Sequence, residues 1–473
     1  MAPTDPIASD IAGELALLER GGIARSAAQA WLRAWPKLGR DFRRDAAACT
    51  RFWRTGARLR ATLPPKPKRS VEQAAAAAAV FRRERELRER FLAAHAVTIY
   101  ERLTNRRRSF LRAERLVHDA AALVPGLTPS PATLREEAER PLKDKDGAEI
   151  DQGIFLAHVL AHPVCGAHLC HAMLLPRPQS LELQARLARD GSVELEAAAV
   201  TRADKASVVE MRRPRFLNAM DHEWLHALET AVDLVILDPE TEIAVLRGGR
   251  VDRSRYRGRR VFSAGINLTL LYQGQIPFLF YLDHLMGFEH KIFRGLARPD
   301  APIDDMAGAT IEKPWIAVVD GFAIGGGCQH LLVMDYVLAA TDAYLTLPAR
   351  KEGIMPGAAN LRLPRFLGDR LSRQAIMGER RFACDSVEGR LICDEVVPPD
   401  RMDEALAVAI ARLTGSGVVS AVSNRRALRI VEEPLDLFRR YLALYAREQA
   451  YCHFSPALIA NLERHWDAAQ RRT

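Results

Sequence analysis

Up to about residue 190, apolar positions recur every three or four residues within densely charged sequence, the spacing of amphipathic helices. Residues 70–90, with the alanine run 74–79, lead into FRRERELRERFLAAHAVTIYERL and predict one long helix. Breaks fall at PPKPK (64–68) and at LVPGLTPSP (123–131). From about Ser192 the period shortens. SVELEAAAV, VDLVILDP, EIAVLRG, WIAVVDG and DYVLAATD read as short strands between helical patterns such as DHEWLHALETAV. Amphipathic helices return after about 416 and end in LIANLERHW. The expected architecture is a helical N-terminal domain (1–190), an α/β core (191–415) of repeated strand–helix units and a C-terminal helical segment (416–473).

At 473 residues the chain has room for more than one domain. Seven cysteines, at 49, 165, 170, 328, 384, 393 and 452, are scattered and odd in number, which fits a reduced compartment better than a disulfide framework. No run of 18 apolar residues and no cleavable apolar leader is visible, so a cytoplasmic protein without membrane contact is expected. The net charge of +9 is local in origin. Residues 20–69 hold fourteen Lys/Arg against Asp41 and Asp45, an excess of twelve that surpasses the whole-chain value. No nucleic-acid recognition motif accompanies this stretch, and nucleic acid is not an expected partner.

Three groups of residues invite chemical readings. His158, His162, Cys165, His168, Cys170 and His171 place six ligand types within fourteen residues, yet Pro163 and Gly166 interrupt any helix there and the spacing fits no zinc pattern. Ordinary hydrogen-bonded histidines, and no metal, are expected. FSAGIN (262–267) and VDGFAIGGGCQ (319–329) each put small residues directly after an extended run, where a backbone N–H can face a cavity unobstructed. Two such amides converging on one oxygen would form an oxyanion hole. Residues 247–260 (RGGRVDRSRYRGRR) carry seven arginines against Asp252, suited to phosphate, with Arg213 and Arg215 as further candidates.

Over roughly residues 195–410, ALETAVDLVILDPETEIAVLRG, VFSAGINL, KPWIAVVDGFAIGGGCQHLLVMDYVLAATDAYLTLPARKEGIMPGAAN and GRLICDEVV resemble the crotonase (enoyl-CoA hydratase/isomerase) superfamily. That resemblance implies a spiral of ββα turns, a homotrimer or dimer of trimers and a coenzyme A thioester substrate. It assigns the oxyanion-hole amides to Ile266 and Gly326. Ala264, Gly265, Asn267, Gly325 and Gly327 would frame the thioester, and Arg213, Arg215, Arg253, Arg255 and Tyr256 would hold coenzyme A. Hydratases of the superfamily carry glutamates where this chain has Gln329 and Ala349, so ordinary hydration is not expected. Glu352, three residues on, is an acid–base candidate.

AGIN, GGGCQ, PARKEGIMPGAANLRLPR, the long helical N-terminus and FRRYLALYAREQAYCHFSPALIANLERHW are similar to a cofactor-independent dioxygenase branch of that superfamily, one linked to antibiotic biosynthesis. The branch implies that an arylacetyl-CoA, such as the 3,5-dihydroxyphenyl thioester, and O₂ give an arylglyoxylate and free coenzyme A. It implies neither metal nor flavin, with Gln329 in the catalytic set. Ile266, Leu268 and Ile324 are candidates for an apolar oxygen pocket, and Met220, Asp221, Asp283 and His284 for the neighbourhood of the ring. Two rival functions stand: an acyl-CoA hydrolase or isomerase using Glu352 or Asp221, and a non-catalytic acyl-CoA-binding protein.

Overall fold

A computed structural model describes residues 11–303 and 310–471; residues 1–10 of the expected N-terminal domain lie outside it. Helices from Ile11–Arg20 to Pro178–Asp190 fill the first part of the chain. The longest, Val71–Leu103, begins at a reciprocal cap: Ser70 accepts from the Gln73 amide and Gln73 returns a bond to the Ser70 amide. Both anticipated breaks are present, between Ala61 and Val71 and between Leu123 and Pro131.

Strands start at Ser192. They are β1 (Ser192–Glu194), β2 (Ala198–Ala203), β3 (Ala206–Met211), β4 (Ile243–Gly248), β5 (Trp315–Val319), β6 (Phe322–Ile324), β7 (Tyr336–Ala340), β8 (Tyr344–Thr346), β9 (Phe382–Ala383) and β10 (Glu395–Val397). Seven form one sheet in the order β1-β2-β3-β4-β5-β7-β10, antiparallel up to β3 and parallel beyond it. β6, β8 and β9 form a second, smaller sheet. The chain passes from β5 into β6 and from β7 into β8 through short turns, so successive repeats feed both sheets. This is the α/β core with flanking helices that the pattern predicts.

One expected strand is not a strand. The run VDLVILDP completes the His222–Leu237 helix, whose residues from Ala227 to Ile236 are all buried. Asp221 caps its start by accepting from the Trp224 amide, no glycine or proline intervenes before Asp238, and a helix buried all round needs no polar face. An unbroken apolar run therefore mimics a buried strand.

One hydrophobic cluster runs from Leu15 to Ala468 and includes side chains of the N-terminal helices, the sheet and the C-terminal helices. Buried charge ties the same parts together. Lys291 pairs with Glu229 (2.8 Å) and Asp233 (2.7 Å), and Glu229 also receives Arg112 and Arg177, the residues just before two of the N-terminal helices. Arg362 bridges Glu289 (2.7 Å) and Glu433 (2.9 Å) near the C-terminal helices Val419–Glu432, Leu435–His453 and Pro456–Trp466. Among the described residues no single helix is long and apolar enough to cross a membrane.

Candidate active site

The two small-residue segments lie side by side. Ser263 bridges Ala323, the Ser263 amide donates to Phe322 O (3.2 Å) and the Ile324 amide to Ser263 O (3.0 Å). Glycine is needed at two points of this contact. Gly265 has φ +79°, and a Cβ there would stand 2.7 Å from Ile324 O; Gly325 has φ +53°.

Hydrogen bonding isolates one amide in each segment. The Ala264, Gly265 and Asn267 amides are spent on Leu217 O, Ser263 Oγ and Met220 O. Ile266 lies between them with no acceptor among the described residues. Gly325 donates to Thr346 O (2.9 Å), and the next amide, Gly326, starts a helix (Gly326–Leu331) and has no acceptor among the described residues. Ile266 and Gly326 border the same inner cavity, about 30 Å³ in volume. Its lining also includes Met220, His284, Gln329 and Ala349, together with Glu352, Tyr281, Tyr445, Ile354 and Met355.

This recess adjoins a larger cavity of about 410 Å³, within the range of small-molecule sites. Ala264, Ile266, Asn267, Leu268 and Ile324 line it, as do Arg253, Tyr256 and Glu352. Its far side comes from the C-terminal helix and tail through Asn461, Leu462, His465, Trp466 and Arg471. Lys351, His465 and Arg471 escaped sequence reasoning because nothing local to them signals a cavity formed only by chain closure.

Placement separates the remaining candidates. Gly265 and Gly325 hold the two segments together, and Gly327 packs on Ser263, where a Cβ would meet the Ser263 Cβ at 2.8 Å. Asn267 Oδ1 caps the Leu268–Tyr272 helix. Arg213 is committed to Asp221 (3.0 Å) and Glu223 (2.5 Å) and does not line either cavity. Arg215 and Arg255 are exposed and outside the lining, Arg255 lying over the Tyr256 ring. The arginine loop is not one phosphate patch: Arg247, Arg257, Arg259 and Arg260 pair with Asp320, Asp252, Asp342 and Glu210. Arg253 lacks an acidic partner among the described residues and faces the large cavity.

The histidine-rich stretch disperses. His158 binds Glu89, His162 caps the Pro163–Leu174 helix, His168 sits between Tyr100 and Arg107 O, and His171 bonds Arg298 O. The residues near the inner cavity form a different cluster. His284, in a π-helical turn (His284–Glu289), meets His330 Nε2 at 2.8 Å, with Glu289 Oε1 3.6 Å away. The ligand atoms of this trio lie within 4.8 Å of one another. Burial holds His284 down at about 3, helped by the Arg362 charge, while Glu289 is raised to about 7 by burial against the opposing pull of Arg362. Asp221 caps its helix and Asp283 lines neither cavity, leaving Met220 and His284 as inner-wall residues.

The chain belongs to the enoyl-CoA hydratase/isomerase (crotonase) family: residues 202–429 match the family enoyl-CoA hydratase/isomerase, and the chain is that of an acyl-CoA-acting, crotonase-type enzyme. It is 46% identical over 389 residues to the (3,5-dihydroxyphenyl)acetyl-CoA 1,2-dioxygenase of Amycolatopsis orientalis, covering 82% of this chain and 88% of that one. It is 25% identical over 225 residues to a crotonyl-CoA hydratase of Syntrophomonas wolfei, covering 47% and 78%. Among solved structures, an enoyl-CoA hydratase from Bacillus halodurans superposes with a TM-score of 0.48 at 18% identity, covering 57% of this chain and 100% of that one.

Proposed function

We propose that the chain oxidises an arylacetyl-CoA with O₂, giving an arylglyoxylate and free coenzyme A, by way of an enolate held at the Ile266 and Gly326 amides. The observation that carries this reading is the pairing of two free amides with a wall that offers an amide at Gln329 and a methyl at Ala349. Such a site stabilises negative charge on a thioester oxygen yet lacks acid–base groups at those two positions for adding water to a double bond. The likeness to the Amycolatopsis dioxygenase supports the same reaction.

The balance closes without another reductant. Cα bonds to one oxygen atom, the second closes on the thioester carbonyl, and the O–O and C–S bonds break. Both oxygen atoms stay in the arylglyoxylate, and the two α-hydrogens leave as protons, one of which ends on the thiol. No metal or flavin takes part in this scheme. Copies of the chain assemble as a trimer or a dimer of trimers.

The test is oxygen uptake with phenylacetyl-CoA and with its 3,5-dihydroxy form, followed by product mass under ¹⁸O₂. Incorporation of both labelled atoms, undiminished after exhaustive chelation, is expected. Release of coenzyme A without oxygen uptake would sink the reading. Activity lost on chelation and restored by iron would direct attention to His284, Glu289 and His330 rather than to the 158–171 stretch. A second reading, an acyl-CoA isomerase or hydrolase, is favoured by one observation: Glu352 lines both cavities.

A further inference from the structure

The titratable side chains bordering the inner cavity are Tyr281, His284, Glu352 and Tyr445. Burial drives both phenols well above their usual range, so neither yields a base near neutrality. His284 has Nε2 engaged with His330 and is a poor proton acceptor in its buried setting. Glu352 differs on each count. It closes the short Ala349–Glu352 helix, and no hydrogen bond or ion pair holds its carboxylate among the described residues. Ala349 sits three residues earlier and presents only a methyl to the recess that Glu352 borders together with Ile266 and Gly326.

We propose that Glu352 is the general base that removes the α-proton of the bound acyl thioester. The inference rests on the enolate chemistry proposed above. The Cα–H bond breaks, its electron pair passes into the enolate whose oxygen the two amides hold, and the proton comes to rest on a Glu352 carboxylate oxygen. Burial is the main reason the carboxyl is pushed up to about 7; Glu379 adds to the rise and Lys351 opposes it. Tyr281, His284 and Tyr445 face it across the inner cavity, and Arg253, His465 and Arg471 share the larger one. A base so poised is half ionised near neutral pH and strong enough to take an acidified benzylic proton.

The experiment is α-hydrogen exchange of phenylacetyl-CoA in D₂O under argon, read by proton NMR, with oxygen uptake measured separately in air. Wild-type protein should wash deuterium into the α-position, at a rate that rises with pH through about 7 and then levels, since the ionised carboxylate is the active form. Glu352→Gln should slow exchange by roughly 10²-fold or more and abolish that inflection, with binding of coenzyme A unchanged. Glu352→Asp, which keeps the acid but shortens its reach, should fall between and retain the inflection. Exchange by Glu352→Gln within a few-fold of wild type, or wild-type protein that exchanges nothing, overturns the proposal. Wild-type protein that exchanges in a Glu352-dependent way yet consumes no oxygen supports the base and removes only the dioxygenase reading.

Discussion

The Gly326 amide and the Gln329 side chain border one recess but do different work. In the proposed reaction the amide meets developing charge, whereas Gln329 only positions or hydrogen-bonds. Gly326 is the first residue of its helix, where proline is tolerated, so Gly326→Pro removes a donor without breaking an internal helical bond. A Cβ there would stand 2.0 Å from Met220 Cε, a flexible end, and the variant is best made with Met220→Ala. Relative to that parent, kcat should fall roughly 10²–10³-fold while the melting temperature stays close; Gln329→Ala should cost only a few-fold. Undiminished turnover in a folded proline variant would place the oxyanion hole elsewhere. Buried histidines support a second expectation. His453, bonded to Tyr281, is held down at about 3 by burial, with Lys145 contributing. Its contribution to stability is present above about 6.5 and is lost as pH falls toward 3, because the unfolded chain takes up the proton first. The wild-type minus His453→Phe difference in unfolding free energy, from urea titrations, should shrink by roughly 1.4 kcal/mol per pH unit below 6. A difference that ignores pH would refute it. The two small-residue segments were legible from their composition, and the family resemblance picked Ile266 and Gly326 within them. Glu352 was visible only as a candidate, since part of the wall around it comes from the Pro456–Trp466 helix, far away in the chain.

Among elements, the 249–262 loop shows how composition misleads. Seven arginines, Arg247 at the end of β4 and six in the loop, read as one footprint for phosphate, but Arg247, Arg259 and Arg260 pair with Asp320, Asp342 and Glu210 from elsewhere in the chain, and only the Arg257–Asp252 pair is local. The expectation therefore narrows to Arg253. Arg253→Ala should raise KM for the thioester up to about fivefold with kcat nearly unchanged, because a phosphate contact far from the reacting carbon is made equally in ground and transition states. The effect should fade at high salt, and Arg257→Ala, which loses only its pairing with Asp252, should change neither constant. A drop in kcat alone would put the loop at the acyl end. The misread helix His222–Leu237 teaches the converse: periodicity reports burial on one side, and a helix buried on every side has none to report. A helix with a solvent face, such as Pro456–Trp466, was readable for the opposite reason.

For the molecule as a whole, pattern reading reached the order of helical, mixed and helical segments because each segment changes period at its boundary. The junctions between them were out of reach. The Lys291 and Arg362 networks join residues separated by more than fifty positions, and the second cavity wall arrives from the last fifteen residues. A surface feature bears on assembly. The helices Met402–Thr414 and Val419–Glu432 leave Val408, Leu428 and Val431 exposed, Val431 at 85%, and Leu428 and Val431 stand three apart on one face. Apolar side chains grouped on a surface helix mark contact with another chain, and in the proposed trimer that chain is a second copy. The double variant Leu428→Asp, Val431→Asp should then shift sedimentation from the multimer to the monomer while the circular dichroism spectrum is retained, since neither side chain belongs to the core. A wild-type protein that sediments as a monomer would exclude the assembly itself. A multimer indifferent to both substitutions would move the interface to another face.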